Sequence, residues 1–381
     1  MPPRVSMPLF THSFASGDDW RDLCRRCVDS VGAIPENSQL AFVYIADSLG
    51  EHADEIIGFL REQTGVDHWV GSVGNGIIGS GVESYDDPAI SLLITDLDNE
   101  SFRLIPAQTK TLSSFLGDTA AWRGNNLAFF SVVHGDPRHG ELPQLINQFS
   151  QGLEGGFLVG GLSSASDESF IQLLDGATEG GLSGVLFSGK VPVATGVTQG
   201  CSLIGHRHEV TACQGNVLVK LDGRPALDVF LEDIGPELAA DLQRLGGLVF
   251  AALPIPGSDT ADYLVRNLMA IDENKGIMAI GDLLEEGMNL QFARRDQNTA
   301  EADLRRMLRN VKARAGEHIK GALYFSCLGR GRYLFGEDSA ELKIVQQELG
   351  DIPLAGFYAN GEISHNRLYG YTGVLTVFLD G

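Results

Sequence analysis

Two rhythms of apolar residues alternate along this chain. Trp20, Leu23, Cys24, Cys27, Val28 and Val31 recur at three- and four-residue spacing and predict a helix over about 17 to 32, with Ser16 or Asp18 as its cap and Gly32 and Pro35 as its stop. Strand patterns follow at 39 to 46, 67 to 71 and 88 to 97, with a helical pattern at 50 to 64 between the first two. The same order returns as strand 127 to 133, helix 140 to 152 and strand 156 to 160. Glycine-punctuated stretches rich in Val, Phe and Thr at 169 to 174, 183 to 188, 191 to 198 and 215 to 221 predict antiparallel strands. Pro225 suits the first turn of a helix, and strands near 247 to 253, 262 to 271, 276 to 281 and 288 to 294 read as a meander. A helix over 296 to 315, with Leu304, Met307, Leu308 and Val311 on one face, leads to a last unit with strands at 322 to 327 and 374 to 379.

One octapeptide pattern occurs twice. Gly71 to Ile78 and Gly356 to Ile363 share Gly, Asn, Gly and Ile at the same offsets, each after a strand and a helix and each leading to another strand. Glycine accepts positive φ and lets a neighbour approach the backbone, and Asn-Gly also suits a plain hairpin turn. Gly160-Gly161-Leu162-Ser163-Ser164 holds the corresponding place in the middle unit, without Asn-Gly. The fold class expected is α/β: mixed sheets with antiparallel hairpins, built from repeated strand-helix-strand-glycine-loop units in two domains. The boundaries expected are a helical extension at 1–37, one domain at 38–225 and a second at 226–381, with the loops at Gly71–Gly76 and Gly356–Gly361 in equivalent places.

Composition narrows the partners. The 47 glycines exceed the roughly 27 of average usage without any collagen-like period, so the excess belongs to turns and close backbone approaches. A formal charge of -22 with no polybasic stretch argues against nucleic acid and anionic membrane surfaces as direct partners. No apolar run of membrane-spanning length occurs, and prolines interrupt the N-terminus where a secretory signal needs an apolar segment, so a cytoplasmic location is expected. Five scattered cysteines suit reduced thiols, and Cys24-Arg25-Arg26-Cys27 falls on the apolar face of the first helix with no second pair to complete a metal site.

Three familiar signatures fail on context. Gly74-Asn75-Gly76-Ile77-Ile78-Gly79 fits a dinucleotide fingerprint but precedes no amphipathic helix. Gly184 to Lys190 spells a phosphate loop across an apolar strand, with Val191 where a hydroxyl residue is needed, and no helix pattern follows the elbow-like Gly161-Leu162-Ser163-Ser164-Ala165. No catalytic constellation and no metal site emerge.

The chemistry-bearing candidates lie near the C-terminus. Gly329-Arg330-Gly331 follows a buried strand, where a guanidinium can take a ligand carboxylate bidentately or pair with one of the chain's own acids. Cys327 ends that strand, and an adjacent cation would favour its thiolate. Glu362 stands where the first copy has Ile77, so Arg330 and Glu362 together could clamp a zwitterion. His206 and His208 would share a face of a strand, and His134 and His139 flank a turn, which does not make a metal site.

Ala322 to Gly331 with its Cys-x-Gly-Arg-Gly ending, Gly356-Phe357-Tyr358-Ala359-Asn360-Gly361-Glu362 and Gly370-Tyr371-Thr372-Gly373 resemble, in order, the C-terminal domain of the FIST family (F-box and intracellular signal transduction proteins). Gly71 to Gly79 and Leu221 to Leu227 are similar to that family's N-terminal half, and the resemblance covers roughly residues 38 to 380. Two departures stand out: Ser72 where many relatives have Cys, and Leu328 where Asn is usual. The resemblance implies a sensory module in intracellular signal transduction that binds a small polar metabolite such as an amino acid. Because the segments 327 to 331 and 356 to 362 both follow buried strands of one unit, Cys327, Gly329, Arg330, Gly331, Gly356, Phe357, Asn360, Gly361 and Glu362 are the ligand-binding set expected. No output domain is visible, so the signal is expected to pass to a separate partner protein. No cofactor is expected from the residues. Haem-dependent gas sensing within the family leaves a histidine as an axial ligand as one alternative, and an enzyme with Cys327 as nucleophile is another.

Overall fold

The structure is a computed structural model and describes residues 10–153, 156–255, 263–316 and 318–380. The chain begins with β1 (Thr11–Ser16), α1 (Trp20–Val31), β2 (Leu40–Ala46), α2 (Ala53–Thr64), β3 (His68–Gly74), β4 (Ile77–Gly79), β5 (Val82–Ser84) and β6 (Ala89–Ile94). It continues through β7 (Phe102–Gln108), α3 (Ser113–Asp118), α4 (Ala120–Asn126), β8 (Phe130–Gly135), α5 (Leu142–Gly152), β9 (Phe157–Leu162), β10 (Gln172–Leu174), β11 (Ala177–Thr178), β12 (Leu182–Phe187) and β13 (Val193–Gln199). Next come β14 (Cys201–Gln214), β15 (Val217–Leu221), β16 (Arg224–Pro225), α6 (Ala226–Ala239), β17 (Val249–Pro254), β18 (Tyr263–Asp272), β19 (Ile277–Ile280) and β20 (Asn289–Arg295). The chain closes with α7 (Gln297–Ala315), β21 (Ile319–Cys327), α8 (Arg332–Phe335), α9 (Ala340–Leu349), β22 (Leu354–Ala359), β23 (Glu362–His365), β24 (Arg367–Tyr369) and β25 (Thr372–Leu379). Among the described residues no helix is long and apolar enough to cross a membrane.

Two compact units result, Met1–Gln199 with Ala302–Gly381, and Gly200–Glu301. These spatial cuts differ from the division after residue 225 expected from the sequence. The segment expected as a helical extension also contributes an edge strand, because β1 pairs antiparallel with β6. Its weakly apolar sequence, Thr-His-Ser-Phe-Ala-Ser, hides the strand from a pattern reading.

The larger unit holds three sheets with one plan. Their strand orders are β1-β6-β2-β3-β10-β11, β7-β12-β8-β9-β23-β24 and β13-β25-β21-β22-β4-β5. In each, a parallel pair (β2–β3, β8–β9, β21–β22) is flanked by an antiparallel strand made later in the same third of the chain. The strand order is therefore the same around the loops after β3 and β22, as the repeated octapeptide predicts. The small hairpins are exchanged: β10–β11 joins the first sheet through β3, β23–β24 joins the second through β9, and β4–β5 joins the third through β22. The exchange forms a closed cycle.

Local sequence explains these elements. β2 and β6 are buried along their whole length, which suits their continuous apolar runs, since both faces are covered. α1 is capped by Asp19, whose carboxylate accepts from the Arg21 and Asp22 amides, and it buries Leu23, Cys24, Cys27 and Val31. Both cysteines of the CxxC thus serve the core, and burial pushes their thiols up to about 12 and about 11. Glycine is required at one position of each parallel pair. A Cβ at Gly71, Gly160 or Gly356 would lie 1.6, 1.8 or 1.8 Å from the carbonyl oxygen of Val43, Val133 or Tyr324 on the adjacent strand.

The smaller unit is antiparallel. Its order β14-β20-β17-β18-β19-β15-β16, with β14 also bonded to β15, closes the sheet on itself. α6 packs Leu227, Phe230 and Ile234 on its core, with Phe230 edge-on to Phe292 at 4.8 Å. The expected meander is present as β17-β18-β19, while β20 returns to pair with both β17 and β14.

Candidate functional site

The exchange brings the loops after β3, β9 and β22 to one place. Tyr358 N donates to Gly76 O at 2.9 Å, Asn360 N to Leu162 O at 3.1 Å and Leu162 N to Gly361 O at 2.9 Å. Asn75 N donates to Ser164 Oγ at 2.9 Å, and Ser164 Oγ donates to Tyr358 O. Ser72 and Ser163 are joined through their hydroxyls at 2.8 Å. Beneath the loops, the equivalent positions Tyr44, His134 and Phe325 meet, with ring centroids 5.6 to 5.9 Å apart, and Phe357 stacks on Tyr44 at 5.2 Å. Full burial lowers the His134 pKa to about 3, so its imidazole is neutral, with Nε2 3.3 Å from the Tyr44 hydroxyl.

Charge is concentrated at the third junction. The turn after β21 is closed by Arg330 N donating to Cys327 O at 2.8 Å, and it sends the Arg330 side chain inward, fully buried over the Phe335 ring. Arg330 Nε and Nη2 donate to Glu341 Oε1 at 2.9 and 2.7 Å. Glu341 comes from α9 and also accepts from the Tyr324 hydroxyl at 2.7 Å and the Gly331 amide at 2.8 Å. Desolvation opposes the guanidinium charge, but Glu341 outweighs it and holds the Arg330 pKa above its ordinary value. Arg330 Nη1 is buried with no hydrogen-bond partner.

Glu362 is also fully buried. Its Oε2 accepts from the Thr372 amide at 3.1 Å and hydroxyl at 2.7 Å, while Oε1 has no partner. Burial pushes its carboxyl up to about 8, against a smaller opposing pull from Thr372 and the Arg330 charge. Cys327 is partly exposed as a residue, yet desolvation of its sulfur, then the Glu362 charge, push the thiol well above its ordinary value. A thiolate favoured by Arg330, as the sequence suggested, is therefore overturned: Glu341 neutralises the cation, and the nearer acid acts the other way. On the far side, the Tyr358 hydroxyl donates to Glu83, whose carboxyl burial pushes up to about 7, and Tyr85 stacks on Tyr358 at 4.8 Å.

The sequence-predicted residues thus share one neighbourhood but not one role. Leu328 N donates to Ala359 O at 3.1 Å, so the segments carrying Gly329–Gly331 and Asn360–Glu362 do converge. Gly356 serves strand packing, Phe357 fills the centre of the cycle, and Gly331 lies where a Cβ would come within 1.9 Å of the Tyr85 hydroxyl. Asn360 is exposed. Arg330 is not open to a bidentate ligand carboxylate, because two of its three nitrogens are committed to Glu341. Glu341 and Glu83 escaped the sequence reading, and Tyr324, Tyr358 and Thr372 stood in its motifs without a role. Glu341 left a trace as an acid one turn before Val345 on the buried stripe of α9. Of the histidines open to a haem reading, His208 lies between Asp222 and Asp233 at 2.6 and 2.8 Å and His139 Nε2 is 2.7 Å from Thr109 O, while His206 is exposed and His134 is buried with no partner at Nδ1. Among the described residues no group of three His, Cys, Asp or Glu side chains could hold a metal ion.

Three interlocked α/β sheets with their charged groups buried at one glycine-loop junction define the class. Family models for the FIST N domain and the FIST C domain match residues 39–224 and 226–365. An uncharacterized protein of Mycobacterium tuberculosis is 33% identical over 327 residues, covering 82% of this chain and 83% of its own. An uncharacterized protein of Mycobacterium bovis is 31% identical over 328 residues, with the same coverage of 82% and 83%. The chain belongs to the FIST family, whose domains are sensory domains of signal transduction.

Proposed function

We propose that this chain is an intracellular sensor for a small polar metabolite, an amino acid in class, taken at the junction of the loops after β21 and β22. The observation that carries this reading is a buried donor and a buried acceptor, Arg330 Nη1 and Glu362 Oε1, left without protein partners on the two glycine-rich segments. Such groups cost free energy until something fills them, and a ligand with both a carboxylate and an ammonium group would satisfy both. Full burial of both side chains means that the covering loops open to admit it. The carboxyl of Glu362, protonated when empty, would ionise on meeting an ammonium group. Output passes to a separate signalling protein through the rearranged loops. Catalysis by Cys327 is disfavoured by a thiol held protonated.

Thermal unfolding of the full chain against a panel of amino acids tests the reading. A ligand at 100 times its dissociation constant adds about 2.7 kcal/mol. The stabilisation should vanish in Glu362→Gln, a variant that keeps its shape but cannot ionise. A panel without any stabilising compound, or one whose effect survives Glu362→Gln, refutes it.

A further inference from the structure

A second feature lies in the larger unit, away from the loop junction. A groove of about 390 Å³ is bounded by Phe129 before β8, Phe157 at the start of β9, Val193 and Thr195 of β13, Leu379 at the end of β25 and Arg314 near the end of α7. These lie at the opening ends of β8 and β9, whereas the glycine loops follow their closing ends. The walls are apolar and half-buried, and Phe129 is 50% exposed at the rim. A concavity of this volume, open on one side and rimmed by an exposed aromatic ring, falls within the size range of small-molecule sites.

The one cation lining the groove among the described residues, Arg314, selects the ligand's polar end. On the same helix, Arg305 and Arg309 pair with Glu348, and Arg306 pairs with Asp303. Arg314 differs. Its Nη2 donates to Thr195 O and its Nε to Asn310 O, and it has no carboxylate partner among the described residues. The guanidinium is thus held in place by two carbonyls with no carboxylate among the described residues to offset its charge, which favours an incoming anion over water. A single guanidinium matches one carboxylate. A phosphate monoester would call for more positive charge than the groove carries.

We propose that this groove binds a small apolar monocarboxylate, a medium-chain or aryl-substituted acid. Its apolar body lies along Phe129, Phe157, Val193 and Leu379, and its carboxylate lies on Arg314. This site is separate from the amino-acid reading of the loop junction and does not rest on it.

Titration of the full chain with octanoate, and with octanol as the neutral counterpart, tests the proposal by calorimetry. Saturable binding of octanoate at one site per chain is expected, with octanol at least about tenfold weaker. Arg314→Gln should lower octanoate affinity by about tenfold or more and leave octanol unchanged, since the exposed side chain carries charge rather than core packing. Phe129→Glu, at the half-exposed rim, should abolish binding of octanoate while leaving the circular dichroism spectrum intact. Absence of saturable octanoate binding, octanol binding as tightly, or octanoate affinity unchanged in Arg314→Gln would each overturn the proposal.

Discussion

Glu362→Gln should stabilise this protein, and increasingly so as the pH rises. In the fold the Glu362 carboxyl stays protonated up to about 8, against 4.5 when unperturbed, because burial penalises the anion. The unfolded chain therefore releases this proton first. The parent loses stability as pH rises through that window and levels off above about 8, by up to about 5 kcal/mol from the size of the shift. Glutamine keeps a carbonyl for the two Thr372 donors and has nothing to ionise. Glu83, with its own carboxyl pushed up to about 7, contributes a similar slope to both proteins and cancels from the difference. Urea unfolding of parent and variant between about pH 5 and pH 8 provides the measurement. The curves should lie close together at the acid end and separate by a few kcal/mol at the alkaline end, with the variant above. Parallel curves would mean that Glu362 is ionised in the fold, and the description of its site would be wrong.

Glu341→Gln should have the opposite sign, costing about 3–5 kcal/mol because it strands the buried Arg330 charge, and a urea midpoint at or above the parent's would contradict the closed pair. Gly160→Ala should abolish soluble expression, since its Cβ would lie 1.8 Å from the Val133 carbonyl, whereas Gly58→Ala in α2, with open space around it, should gain roughly 0.5–1 kcal/mol. His208 has its pKa raised because Asp222 and Asp233 outweigh its desolvation. Its contribution is complete below 6.5 and is lost as pH rises through the folded value, so His208→Asn should flatten that fall in hydrogen-exchange protection of β14. With its thiol held protonated, Cys327 should react with iodoacetamide at neutral pH no faster than the partly exposed Cys213, as mass spectrometry of the labelled peptides would report.

The elements with strong periodicity were legible. α1, α7, the all-apolar β2 and β21 with its apolar centre stand within a few residues of their expected places, because each buries a face or a central run that its sequence marks. β1 and β7 were missed, since Thr11–Ser16 and Phe102–Gln108 are edge strands with mixed burial and carry no clean alternation. The repeat was legible as Gly-x-x-x-Asn-Gly, and the structure gives its cause at Gly71 and Gly356, where the neighbouring carbonyl leaves no room for a side chain. The hairpin exchange was not legible, because nothing in Ile77–Gly79 states that its partner is Ala355–Phe357 rather than a nearer strand. For the same reason Arg330 and Glu362 could be named as charged candidates, but not Glu341, whose place beside Arg330 depends on how α9 packs.

The hairpin exchange also decides what a ribosome can leave behind. β4 and β5 are synthesised early, yet the strand that receives them, β22, is among the last to be made. A nascent chain released near residue 225 would hold one hairpin with no acceptor, and β9 would present an open edge where β23 belongs. Unprotected edges of this kind recruit other chains. The N-terminal family-model segment is thus not a free-standing body in this protein, and the three sheets lock together only once the C-terminal strands are in hand. Folding of the larger unit should be slow and dependent on completed synthesis, as expected where the decisive contacts are remote in sequence.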